Sequence, residues 1–259
     1  MIIDTHAHYD DEAFDEDRDQ LIRGFAENGI EMVVNVGAGI ETSKRTLELV
    51  AQYENVYGAV GVHPDGVQDL TEADMEWLKS VSGREKIVAI GEIGLDYYWD
   101  TAERQIQKKW FVRQLGLARE VGLPVIIHSR EAAADTLEIM KAEKSEEIGG
   151  VIHCFSYGVE MAREYLKMGF FLGIGGVLTF KNGRRLKEVV EYAPMESLVL
   201  ETDSPYLTPV PYRGKRNNSN YLPLVVEELA KIKGLSAQEV IDITRENALR
   251  LYRISGRDR

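Results

Sequence analysis

Short apolar runs rich in Val and Ile alternate with longer stretches in which apolar residues recur every three or four positions, and this alternation runs the length of the chain. Runs of the first kind predict buried strands, and those of the second predict amphipathic helices. The predicted strands are 2–6, 31–36, 56–62, 87–93, 123–128, 150–154, 170–174 and 197–201. Helical patterns lie between them at 15–28, 41–53, 72–81, 102–121, 131–144, 159–168 and 183–192, followed by a helical tail at 221–252. Gly or Pro commonly marks the return to the next strand, as in Val121-Gly122-Leu123-Pro124 and Met168-Gly169-Phe170.

Such a chain forms either an open doubly wound sheet or a closed barrel. Eight predicted strands are the number that closes a barrel, whose strand C-termini all meet at one rim. The polar residues decide between the two. All five histidines, His6, His8, His63, His128 and His153, sit where a predicted strand runs out. No glycine fingerprint follows the first strand, so a dinucleotide-binding sheet loses its main support. The expectation is an α/β chain folded as a single (β/α)8 TIM-like barrel over residues 1–259, with an extra C-terminal helix.

Composition narrows the picture. At 259 residues and 44% hydrophobic, the chain can bury one large core. The single cysteine, Cys154, excludes an intramolecular disulfide framework and a thiolate zinc site, and fits a reducing compartment. No basic leader precedes the first strand and no apolar run approaches the ~20 residues of a membrane helix, so a cytoplasmic location is expected. A net charge of −12 argues against wrapping a nucleic-acid duplex, while local contact with a strand end stays open. The acidic residues between Asp10 and Asp19 read as a solvated loop and helix start.

The strand ends carry the chemistry. His6 and His8 are spaced i, i+2, which aims both imidazoles at one face of a strand. Glu92 lies inside the apolar run Ile90-Gly91-Glu92-Ile93, where an unpaired carboxylate costs several kcal/mol and a metal supplies the missing charge. His128, His153 and Asp203 end three further strands. Singly, each has a structural reading as a core cap, an ion-pair partner of Arg130 or a turn cap. Jointly, His6, His8, Glu92, His128, His153 and Asp203 are too many for one four-coordinate zinc and enough for two metals sharing a carboxylate. Cys154 follows His153 directly on a strand and is expected to face the other way, packed behind the barrel wall.

These residues fall in stretches that resemble the TatD-type metal-dependent deoxyribonucleases of the amidohydrolase superfamily. The stretches are Asp4-Thr5-His6-Ala7-His8, Gly61-Val62-His63-Pro64, Gly91-Glu92-Ile93-Gly94-Leu95-Asp96-Tyr97, Ile127-His128-Ser129-Arg130, His153-Cys154-Phe155-Ser156, and Glu201-Thr202-Asp203-Ser204-Pro205-Tyr206-Leu207-Thr208-Pro209. The resemblance spans essentially the whole chain. It implies a distorted (β/α)8 barrel, a divalent-metal centre, and magnesium-supported hydrolysis of DNA, often from a 3′ end. It further implies one metal on His6, His8, Glu92 and Asp203 and a second on Glu92, His128 and His153. The chain departs from that pattern at Asp65 (often His), Tyr157 (often Gly) and Asn218-Ser219 (often Glu-Pro). These departures bear on substrate preference.

A water between two cations loses a proton near neutral pH, with Asp203 able to act as base. The metal is expected to be Mg, Mn or Zn, since nitrogen and oxygen ligands suit each. Arg130 and the loop Tyr212-Arg213-Gly214-Lys215-Arg216 are candidate phosphate clamps, and Tyr206 of the adjoining segment is a further substrate candidate. A solvated turn is the other reading of that loop. His63 ends its strand outside both ligand sets, which leaves substrate contact, proton transfer or a structural role. Tyr97-Tyr98-Trp99 either stacks a nucleobase or packs as a lid. The leading expectation is a phosphodiesterase acting on DNA strand ends without an obligate protein partner. An amide, ester or lactone hydrolase is the alternative, because the same activated hydroxide attacks a carbonyl. A non-catalytic barrel is a third reading, disfavoured by the intact ligand set.

Overall fold

The computed structural model describes residues 1–254. Eight strands, β1 (Ile2–Ala7), β2 (Ile30–Val36), β3 (Val56–Val60), β4 (Ile87–Asp96), β5 (Val125–Arg130), β6 (Gly150–Ile152), β7 (Phe171–Ile174) and β8 (Leu198–Leu200), pair in parallel in sequence order. A parallel bridge between Ala7 and Ser204 joins the end of β1 to the segment leaving β8. There the His8 amide donates to Ser204 O at 2.8 Å and the Asp203 amide to His6 O at 2.9 Å. The sheet is thus a nearly closed (β/α)8 barrel, and its closing seam is stitched by residues of the candidate site.

The helices are α1 (Arg18–Arg23), α2 (Ile40–Gln52), α3 (Glu72–Ser82), α4 (Arg104–Val121), α5 (Ala133–Ala142), α6 (Val159–Lys167), α7 (Arg184–Tyr192), α8 (Leu222–Lys233) and α9 (Ala237–Leu251). A large apolar cluster joins the strands to the surrounding helices. A second cluster contains Val34, Ala59, Val88, Ile126, Val151, Phe171 and Val199, one from each of seven strands, together with Leu251 and Tyr252. This second cluster fills the barrel. Tyr252, at the end of α9, is buried there and donates its hydroxyl to Thr5 O at 2.6 Å, so its polar tip is satisfied.

Three segments differ from the sequence expectation, each for a visible reason. The stretch 15–28 yields only the six-residue α1, flanked by short 3-10 turns at Glu12–Phe14 and Ala26–Asn28. Arg18 draws this chain inward through hydrogen bonds to Tyr9 O, Asp11 O and Asp15. The tail splits into α8 and α9 because Gly234 takes a left-handed φ of 68° and Ser236 opens a capping box with Glu239. Strand β6 stops at Ile152, and Cys154 has φ of 45°, so strand alternation no longer governs it. Instead of packing behind the wall, Cys154 lines the cavity described below.

Strand β4 runs on to Asp96 against β5, pairing Gly94 with His128 and Asp96 with Arg130. The approach is close at Gly94, where φ is 148° and a Cβ would sit 1.9 Å from His128 O. Only glycine allows Glu92 and His128 to be brought together by this register.

Candidate metal centre and substrate cavity

Strand alternation places His6 and His8 with their Nε2 atoms 3.1 Å apart. Glu92 stands between the imidazoles. Its Oε2 lies 3.5 Å from His6 Nε2 and 3.7 Å from His8 Nε2, while its Oε1 lies 2.7 Å from His128 Nδ1 and 3.0 Å from His153 Nε2. Each carboxylate oxygen therefore faces its own pair of imidazoles. Asp203 joins the first pair, with Oδ1 3.7 Å from His6 Nε2 and 3.5 Å from His8 Nε2.

The surroundings fix how these groups point. His8 Nδ1 lies 2.8 Å from Val36 O, which assigns it the proton and leaves Nε2 free to coordinate. Asp96 Oδ2 lies 2.9 Å from His128 Nε2, and its Oδ1 accepts from the amides of Tyr98 and Trp99 at 2.9 Å each. The loop after β4 is thereby tied to the orientation of His128. At His63, Nδ1 accepts from the Asp65 amide at 3.2 Å, so a neutral ring carries its proton on Nε2, 3.8 Å from Glu92 Oε1. That tautomer makes His63 a donor rather than a ligand. Burial, aided by His128, lowers its pKa to about 4 and keeps the ring neutral.

The donor set fits a divalent metal. Two carboxylate oxygens each lie within 3.7 Å of two imidazole nitrogens, an arrangement that needs a positive charge at its centre. Protons supply it in the metal-free chain. Burial opposes protonation of His8, but Asp203 and Glu92 overcome it and raise its pKa to about 9. Asp96 and Glu92 likewise raise His128 to about 9 against burial. Burial works against ionisation of Glu92, yet His153, His128 and His6 hold it well below the usual carboxylate range. Asp203 is also lowered, by His8 first among its partners. By distance alone, three groups among the described residues qualify as metal sites: His6, His8 and Asp203; His63, Glu92 and His128; and His6, His153 and Glu201. Glu201 has no role in the sequence analysis, although it carries much the same signal as Glu92, an acid within a predicted apolar strand. It is buried, accepts from the Cys154 amide at 2.5 Å, and is raised to about 8 by burial.

A cavity of about 960 Å³ opens over these groups. Arg130 is on its wall, its guanidinium 4.0 Å from the Tyr98 ring centre and 5.5 Å from that of Trp99. Tyr206 is there too, hydrogen-bonded to Asp11 at 3.3 Å. Arg45, which the sequence pattern does not single out, also lines the cavity, beside Asp10. The predicted clamp loop is placed differently. Arg216 pairs in two-pronged fashion with Asp17 at 2.8 and 2.5 Å and covers the Phe14 ring. Arg213 lies over Phe180 and Lys215 near Tyr212, and none of the three lines the cavity. Of the departures from the family pattern, Asp65 is on the wall and accepts from Thr101 at 2.7 Å. Tyr157 joins Ser129 to the Ala132 amide, and Asn218 caps the turn before α8.

Imidazoles and carboxylates gathered at the strand C-termini of such a barrel define a metallohydrolase of the (β/α)8 class. The family model described as TatD related DNase matches residues 3–253, and the chain belongs to that family. It is a metal-dependent hydrolase. It is 46% identical over 255 residues to an uncharacterized metal-dependent hydrolase, YabD, of Bacillus subtilis, covering 98% of this chain and 100% of that one. Identity to YcfH of Escherichia coli K12, likewise called an uncharacterized metal-dependent hydrolase, is 36% over 257 residues, with 98% and 96% covered. The crystal structure of YJJV, a TatD homologue from Escherichia coli K12, superposes with a TM-score of 0.92 at 29% identity, covering 98% of each chain. Among the described residues no helix is long and apolar enough to cross a membrane.

Proposed function

We propose that the chain is a two-metal phosphodiesterase that removes nucleotides from DNA strand ends, of the 3′-exonuclease type. The observation that carries this reading is Arg130. Its guanidinium is held against two aromatic faces on the cavity wall, and no carboxylate among the described residues pairs with it. A planar cation so placed suits a phosphate oxygen, and exposed Trp99 beside it suits a base.

One metal would be held by His6, His8, Glu92 and Asp203, and a second by Glu92, His128 and His153. When bound, Mg, Mn or Zn supplies Lewis acidity towards a phosphoryl oxygen and acidifies water. The chain's own groups do the rest. Asp203, ionised through its contact with His8, takes the proton of the attacking water. The proton taken up by Asp203 passes to the leaving oxygen, to which the neutral His63 donates a hydrogen bond from Nε2, and Arg130 holds a non-bridging oxygen. Cleavage of a carbonyl ester or lactone is the second reading, favoured by the carboxylates of Asp10, Asp11, Glu12 and Asp65 that also line the cavity, which suit an uncharged substrate. A metal-supplemented panel of single-stranded DNA, RNA, a carboxylic ester and a lactone separates the two. Turnover of the lactone alone would reject the phosphodiesterase.

A further inference from the structure

The charges around the cavity mouth are unevenly spread, with four carboxylates and, among the described residues, the single cation Arg45 on one side. Asp10, Asp11, Glu12 and Asp65 come from the segments after β1 and β3. On the side of β7 the balance is positive, although Glu188 also lines the cleft there. A separate cleft of about 610 Å³ lies there, lined by the start of α7 with Arg184 and Arg185, and it shares Ser156 and Val177 with the metal cavity. Lys181 is exposed on the turn leading into it, and Arg213, which lies over Phe180, adds a fourth cation. Only Arg184 has an acidic partner among the described residues, Glu188 at 2.8 Å, and its side chain is 88% exposed. In a chain with 43 acidic and 31 basic residues, such a concentration opening into the active cavity is the local exception.

We infer that this cleft binds the body of a single-stranded DNA substrate, seating the phosphates that follow the end held at the metals. The inference rests on the phosphodiesterase reading and adds a direction to it. A polyanion leaving the metal centre is repelled by the carboxylates on the β1 and β3 side and attracted over α7. That field favours one direction for the strand away from the metals, with its end held there. The first turn of α7, which lacks a capping side chain and an acidic residue, adds a favourable field without being the site itself.

The test compares wild type with the triple variant Lys181→Ala, Arg184→Ala, Arg185→Ala, both metal-loaded, on a thymidine dinucleotide and on a long oligo(dT) strand. Exposed ion pairs contribute little singly, and three lost together raise KM for the long strand about tenfold. The log-log salt slope for that strand shallows by about 2, at roughly 0.7 per phosphate. Dinucleotide kinetics stay unchanged, because so short a substrate does not reach the cleft. Unchanged KM for the long strand, an equal change on both substrates, or an effect on duplex without one on single strand overturns the inference. Should wild type cleave neither substrate, the phosphodiesterase reading fails on its own. Oligo(dT) binding by fluorescence anisotropy then judges the cleft, and wild-type affinity in the triple variant would reject it.

Discussion

Arg216→Ala is expected to weaken the fold and leave catalysis alone, the reverse of what its place in a basic loop suggests. Its guanidinium donates to both Asp17 oxygens, at 2.8 and 2.5 Å, and to Ala13 O at 2.5 Å, and it covers the Phe14 ring at 4.7 Å. These contacts fasten the segment after β8 to the turns before α1. Charge-assisted bonds contribute about 1.5–3 kcal/mol when shielded from water. The side chains of Arg216 and Asp17 are 32% and 36% exposed, so solvent screening reduces the expected loss to about 1–2 kcal/mol. For a chain of this size that lowers Tm by roughly 3–6 °C. Calorimetry on the metal-loaded variant measures the shift, with kcat and KM on single-stranded DNA determined in parallel. Arg130→Ala supplies the contrast, raising KM with Tm nearly unchanged, because its guanidinium has aromatic neighbours and no ionic partner among the described residues. A wild-type Tm with a tenfold higher KM in Arg216→Ala would refute the reasoning and return that residue to the substrate.

Glu92→Gln replaces one carboxylate oxygen with a donor that cannot coordinate, so metal analysis should show at most one ion per chain and little turnover; two retained ions would remove the bridging role. Asp203→Asn keeps an oxygen towards His6 and His8 but loses the base, and its rate should fall by about 10²–10⁴-fold with much of the metal retained. A variant within a few-fold of wild type would shift the base role elsewhere, to His63 first. Metal loading should release protons at pH 7.5, since His8 and His128, each raised to about 9 in the metal-free chain, must lose theirs to coordinate. The same shifts make the metal-free fold lose stability as pH rises from about 6.5 through 9, while the loaded protein does not. A titration in weak buffer that detects no acidification would contradict this ordering of charge.

The barrel was legible because its signal is local and repeated: each apolar run needs only its own residues to be read as a strand, and the ends of those runs supplied His6, His8, Glu92, His128, His153 and Asp203. The structure brings all six together. What escaped depends on partners distant in sequence. Nothing near Arg216 announces Asp17, 199 residues away, so a spent cation looked like a free one. Arg45 sits on a helix whose pattern explains it as a solvated position, and only the closure of the barrel turns it towards the cavity. Asp96 was quoted within a motif, but its grip on His128 depends on the β4–β5 register, which no spacing encodes.

Cys154 and Glu201 show where alternation itself stops being a guide. Both lie just beyond a short strand, and the end of the pairing at Ile152 and Leu200 frees the chain to turn. The left-handed residues Cys154 and Asp203 then aim backbone and side chains inwards, so the Cys154 amide meets Glu201 while Asp203 reaches His8. A single rule explains the success at His6 and His8 and the error at Cys154. Side-chain direction follows parity only while the ladder lasts. In this barrel the chemistry begins within two or three residues of where the ladder ends: His8 and His153, one residue past β1 and β6, still turn towards the site, and the pattern gives the wrong face at Cys154, one residue further on.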